Sequence, residues 1–140
     1  GTDLTSDGTG TGASFNAPQA ITTDGVNLYV VESPAAGQGH LRKIHIATAQ
    51  VTTLAGGGTQ SGGTNCPVTF QGGCIDGRGA QVAFGGANGI VYHDGYLYIT
   101  EYTNNRVRRM NLATGVVDTI AGDGQPQSAT STTGTNAQFN

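Results

Sequence analysis

Three groups of residues have the types to do chemistry. Histidine is the first: His93 adjoins Asp94-Gly95, and His40 and His45 flank one polar stretch. A metal centre would need His, Asp or Glu converging from several segments. Thr23, which precedes Asp24-Gly25, stands where His93 stands before Asp94-Gly95, so no ligand is reproduced. His93, Asp94, Thr23 and Asp24 are the residues a channel mouth would present, and otherwise read as solvated turn residues. The second group is Glu32 and Glu101 with Arg42, Arg106 and Arg108. An acid/base pair with a cationic clamp would use these types. Because they recur in register they read instead as inter-strand ion pairs or hydrogen bonds, worth about 0–1 kcal/mol each where exposed. Cys66 and Cys74 form the third group. Their C-x7-C spacing lacks a third Cys or a nearby His and suits zinc poorly, so the pair reads as a disulfide closing a surface loop.

Other motifs dissolve on inspection. Asp76-Gly77-Arg78-Gly79 and Asp123-Gly124-Gln125 have neither the clustered carboxylates of a calcium loop nor the following helix of a phosphate loop. Glycine there serves tight turns. No Gly-x-Ser-x-Gly elbow occurs. Alternation along a strand sends Arg109 to the face opposite Arg106 and Arg108, which breaks up the basic run. Six Lys and Arg against nine Asp and Glu give a net charge of −3, so nucleic acid is not the expected partner. No metal or cofactor is expected.

The 140 residues amount to about one domain. Glycine contributes 24 of them without a G-X-Y period, which excludes collagen. Apolar runs such as Leu28-Tyr29-Val30-Val31 and Tyr96-Leu97-Tyr98-Ile99 argue against disorder. No apolar stretch approaches the roughly 20 residues of a membrane helix. Few charges, a single Lys43, abundant Thr and Gly and the paired cysteines suggest an extracytoplasmic setting: secreted, periplasmic or at the cell surface. No stretch reads as a signal peptide, and the expectation is a mature chain.

The chain repeats itself. Asp24-Gly25-Val26-Asn27-Leu28-Tyr29-Val30-Val31-Glu32 recurs as Asp94-Gly95-Tyr96-Leu97-Tyr98-Ile99-Thr100-Glu101. His40-Leu41-Arg42-Lys43-Ile44 recurs as Arg106-Val107-Arg108-Arg109-Met110, and residues 47–56 recur as 113–122, both at an offset of 66. A linker ending in Phe appears at Phe15, Phe84 and Phe139. These repeats divide the chain into residues 1–77, holding the Cys66/Cys74 loop, and 78–140.

Each repeat reads as four short strands: Gln19–Thr23, Leu28–Glu32, Leu41–Ile46 and Val51–Ala55, then Gly89–Tyr92, Leu97–Glu101, Arg106–Leu112 and Val116–Ala121. Asp-Gly is a strong hairpin signal between the first two. No window carries a helical period, so the fold class is all-β. The second strands are apolar on both faces and need covering on both; the third strands, with Arg42, Lys43, Arg106, Arg108 and Arg109, are expected nearer a polar rim. Four-stranded antiparallel meanders repeating at this length are the signature of β-propeller blades.

The succession Phe15-Asn16-Ala17-Pro18, Asp24-Gly25, Leu28-Tyr29-Val30, Arg42-Lys43-Ile44, Val51-Thr52-Thr53-Leu54-Ala55-Gly56 resembles the NHL-repeat β-propellers. It returns from Phe84 to Gly122 with Asn104-Asn105-Arg106-Val107-Arg108. Glu32 and Glu101 stand where that family usually has Asp. Residues 33–40 replace its short Asn-x-Arg segment, no Pro follows Phe84, and the Cys66–Cys74 stretch is an insertion. The resemblance implies blades of a ring, commonly of six.

Two blades leave an apolar face bare on each side, and neither carries an evident polar cap. The expectation is a non-catalytic scaffold or binding module that closes its ring by homo-oligomerisation, with three copies favoured over two. Its ligand would be a protein or a carbohydrate. The alternative is a part of a larger propeller enzyme, a metal-dependent lyase or a lactonase-like hydrolase.

Overall fold

A computed structural model describes residues 5–34, 39–58, 75–122 and 124. Cys66, Cys74, Asp123 and Phe139 lie outside the described residues. Within them the chain is all-β, apart from one 3-10 turn at Gly10–Gly12.

The first sheet contains β1 (Gly8–Thr9), β2 (Pro18–Thr23), β3 (Asn27–Glu32), β4 (His40–His45) and β5 (Gln50–Gly56). The second contains β6 (Gly77–Arg78), β7 (Ala87–His93), β8 (Tyr96–Glu101), β9 (Arg106–Asn111) and β10 (Val116–Ala121). Strand order is β1-β5-β4-β3-β2 in one and β6-β10-β9-β8-β7 in the other, antiparallel throughout. The four-strand meanders therefore each gain a fifth strand. The addition comes from the Asp-Gly segment that precedes each meander and pairs with its last strand. Two residues are too few to show alternation, which is why the sequence does not announce them. The boundary drawn after residue 77 falls inside β6.

Local chemistry explains the turns. Asp94 and Gly95 both take left-handed φ, +46° and +81°. That is the backbone of a two-residue type I′ hairpin, which Asp-Gly favours. The longer first hairpin is held by an Asx turn, in which Asp24 Oδ1 accepts the backbone N–H of Val26 at 2.8 Å and of Asn27 at 2.6 Å.

Each sheet has two distinct faces. One carries the buried arginine, Arg42 or Arg108; the other carries Tyr29 or Tyr98. Cross-strand register sets Ile21, Val30, Arg42 and Thr53 on the arginine face of the first sheet, and Ile90, Ile99, Arg108 and Thr119 on that of the second. The tyrosine face of the first sheet packs on the arginine face of the second. Tyr29, Val31, Leu41 and Ala55 form one core with Phe84, Leu97, Ile99, Met110 and Val117. Fully burying one such side chain contributes about 1.5–3 kcal/mol. Tyr29 stacks on Tyr92 with centroids 6.5 Å apart, and Tyr92 N–H donates to Thr22 Oγ1 at 3.1 Å. Residues 75–84 run through this junction and bond to the first sheet by main chain: Gly56 N–H to Gly79 O at 3.1 Å, Gly58 N–H to Val82 O at 3.1 Å.

The third strands correct the polar-rim expectation. Arg106, Arg108 and Met110 are buried, while Val107, Arg109 and Asn111 are only half-buried. Strand alternation turns Arg106 and Arg108 inward, and Arg42 is buried in the same way.

Candidate functional site

Among the described residues, a dense polar constellation occurs twice, around Arg42 and Arg108. Residues 5–16 lie along the first sheet as a strap, and residues 75–84 do the same on the second. Arg108 donates to Asp76 Oδ1 from Nε at 3.0 Å, to Glu101 Oε1 at 3.1 Å, to Ala83 O at 3.3 Å and to Ile75 O at 2.8 Å. Its guanidinium lies 5.5 Å from the centre of the Phe84 ring. Thr119 Oγ1 donates to Asp76 at 3.0 Å. In the first sheet, Arg42 donates to Asp7 Oδ1 at 3.2 Å, Glu32 Oε2 at 3.1 Å, Ser14 O at 3.0 Å and Ser6 O at 2.9 Å. Phe15 lies 5.0 Å beneath Arg42, and Thr53 Oγ1 donates to Asp7 at 2.8 Å. The two clasps differ at the arginine Nε. Arg42 Nε is buried without a hydrogen-bond partner, where Arg108 Nε has Asp76.

The carboxylates are held as firmly. Glu32 Oε1 accepts Asn16 N–H at 2.8 Å, and Glu101 Oε2 accepts Asn104 Nδ2 at 2.9 Å. Full burial pushes the Glu101 carboxyl upward, against the opposing pull of Arg108. For Asp7, burial works upward too, but the hydrogen bonds from Thr53 and the charge of Arg42 leave it below its ordinary value. With carboxylates and carbonyls around each guanidinium and no exposure of either arginine, the clasp can lock a strap to a sheet. Neither guanidinium is open to a substrate.

The remaining candidates do not converge. His93 and Asp94 are exposed at the second hairpin. Thr23 bonds within its own turn, donating to Asn27 O at 2.8 Å. His45 pairs with Thr48 at 3.0 Å, and His40 is buried with its ring 3.9 Å from Glu32. Arg109 leaves the other arginines, pairs with Asp118 at 2.8 Å and lies over Tyr96. Its guanidinium is thereby held further into the charged form by Asp118. Among the described residues, no three of His, Cys, Asp and Glu gather as metal ligands, and no helix is long and apolar enough to cross a membrane.

Asp24 is the one strongly shifted carboxylate near a hairpin. Its Oδ2 accepts Tyr29 OH at 2.7 Å and Asn27 Nδ2 at 3.1 Å. Burial alone would raise its pKa, but these bonds and the two from the turn amides hold it well below the ordinary carboxylate range. Tyr29 responds in the other direction, pushed up to about 12 by burial and by its bond to Asp24.

No family model matches the chain, and no curated protein matches it. Among the described residues, two sheet faces have no sheet packed on them. Ile21 is 59% exposed on the arginine face of the first sheet, whereas its counterpart Ile90 packs against the core. Ile46 is exposed where Leu112 packs, and Leu28 and Ile44 are half-buried where Leu97 and Met110 are buried. On the tyrosine face of the second sheet, Val91 is 55% exposed and Tyr98 half-buried, whereas Tyr29 is buried.

Sequence reasoning passed over Asp7 and read Asp76 only within a glycine-rich turn, not as the partner of Arg108. A signal for them was present: each is followed by Gly and stands eight residues before Phe15 or Phe84.

Proposed function

We propose that the two sheets are neighbouring blades of an NHL-type β-propeller, and that the chain is a non-catalytic scaffold completing its ring with further copies of itself. The observation that carries this reading is the paired exposure of Ile21 and Ile90. These are matched residues on matched faces, differing only in whether a neighbouring sheet covers them. The sheets approach most closely along β2 and β7, as blades do on the inner side of a ring. Contacts of this head-to-tail kind form closed rings when the rotation per unit divides the circle. Three copies would supply six blades. Loops at the ring's mouth, including the Thr23-Asp24 and His93-Asp94 turns, would meet a protein or carbohydrate ligand outside the cytoplasm.

Native mass spectrometry and light scattering test this directly. The expected species contains three chains; a single chain at every concentration would overturn the reading. Tightly held stoichiometric zinc or calcium would overturn its non-catalytic part.

A further inference from the structure

We infer that copies of this chain join in one direction only, the arginine face of one copy's first sheet receiving the tyrosine face of another copy's second sheet. This rests on the propeller reading above, and adds to it which surface meets which.

The junction inside the chain unites one tyrosine face with one arginine face. The two faces left open are one of each kind. Equivalence extends to the main chain. Gly79, at φ +52°, accepts Val82 N–H within its own strap at 3.2 Å and Gly56 N–H across the junction at 3.1 Å. Its counterpart Gly10, at φ +55°, accepts Ala13 N–H at 3.2 Å and, among the described residues, nothing from a second sheet. Gly122 is the counterpart of Gly56, with left-handed φ at both, +92° and +110°. In the joint between copies, Gly122 N–H of one therefore donates to Gly10 O of the next. Phe15 and Ile21 enter the places that Phe84 and Ile90 fill inside the chain. Two arginine faces brought together would supply no such donor to Gly10.

The joint between copies is also the more polar one. Thr100 stands where Val31 stands, and Arg109 and Asp118 where Lys43 and Thr52 stand. Arg109 and Asp118 are already paired, so the charge on this face is compensated before docking. Val91, standing where Thr22 stands, gives this face an apolar contact beside its charged pair.

Two single variants, Ile21→Glu and Val91→Glu, read out the polarity. Both side chains are well exposed, so a carboxylate leaves the fold intact, as thermal melting will verify. Each variant alone should associate roughly 100-fold more weakly than the unaltered chain, because an unpaired charge is costly in an apolar contact. Mixed in equal amounts, they should form a species of two chains and no more. In it the intact second sheet of the Ile21→Glu chain docks on the intact first sheet of the Val91→Glu chain. Three outcomes overturn the pairing while leaving self-association standing. Val91→Glu alone assembling like the unaltered chain would mean that two arginine faces meet. Ile21→Glu alone assembling would mean two tyrosine faces meet. A mixture that stays monomeric while the unaltered chain assembles is the third. An unaltered chain that never associates overturns pairing and propeller reading together.

Discussion

Phe84 and Phe15 occupy equivalent places, each beneath the guanidinium of its sheet's buried arginine, yet Phe84 is 1% exposed and Phe15 36%. Nothing in their own sheets accounts for the difference. Phe84 has the first sheet against it, with Gly39 N–H donating to its carbonyl at 3.4 Å. Phe15 has no corresponding sheet among the described residues. The difference measures what one neighbour covers.

The same contrast governs stability. Ile90→Ala removes a side chain packed against the core and should cost near the lower end of roughly 2–5 kcal/mol. Ile21→Ala, its counterpart, should stay within about 0.5 kcal/mol in dilute solution, where the chain is alone. Urea unfolding of both variants checks the pair; equal costs would mean the two positions have equal surroundings.

Arg108→Met leaves Glu101 buried without its cation. Removing one partner of a buried ion pair costs about 3–5 kcal/mol. Adding Glu101→Leu to it should restore part of that loss, because the remaining buried charge is gone. A double-mutant cycle by chemical denaturation measures the coupling, and additive losses would contradict it.

Tyr29 should ionise near its raised value of about 12 in an alkaline absorbance titration. Asp24→Asn should bring it back toward 10.0, the ordinary value. Because the folded state prefers the protonated phenol, the stability it contributes is complete below pH 10 and is lost as pH rises toward 12. Unfolding measured across that range should show the decline in the natural chain and a shallower one in the variant.

Gly39→Ala probes the seam between the sheets. A Cβ there would lie 2.9 Å from the Cβ of Phe84 and 3.0 Å from Glu32 O. Neither neighbour is the free end of a flexible side chain, so the sheets must separate locally. A cost of about 1–3 kcal/mol, typical of overpacking, is expected in thermal unfolding. An unchanged melting temperature would show that the seam yields.

The long strands were legible because turn chemistry and apolar runs both repeat. Asp24-Gly25 and Asp94-Gly95 announce hairpins, and Leu28 to Val31 and Leu97 to Ile99 announce covered sheet. Burial of Arg42 and Arg108 was not legible, since arginine ordinarily marks a surface. It follows from alternation along the strand combined with counter-ions supplied from far away in the chain. Asp7 stands 35 residues from Arg42 and Asp76 stands 32 from Arg108, so no short window contains the clasp. The short strands β1 and β6 were hidden for a related reason: their pairing is with residues that come much later.

Because each arginine draws its counter-ion from the strap ahead of its meander, the structural repeat is strap plus meander and not the meander alone. A duplicate starting at Pro18 would arrive with Arg42 and Glu32 but without Asp7, Ser14 and Phe15. Any recombination or grafting of these modules has to cut upstream of Asp7 and Asp76, or it transplants an arginine with half its cage missing.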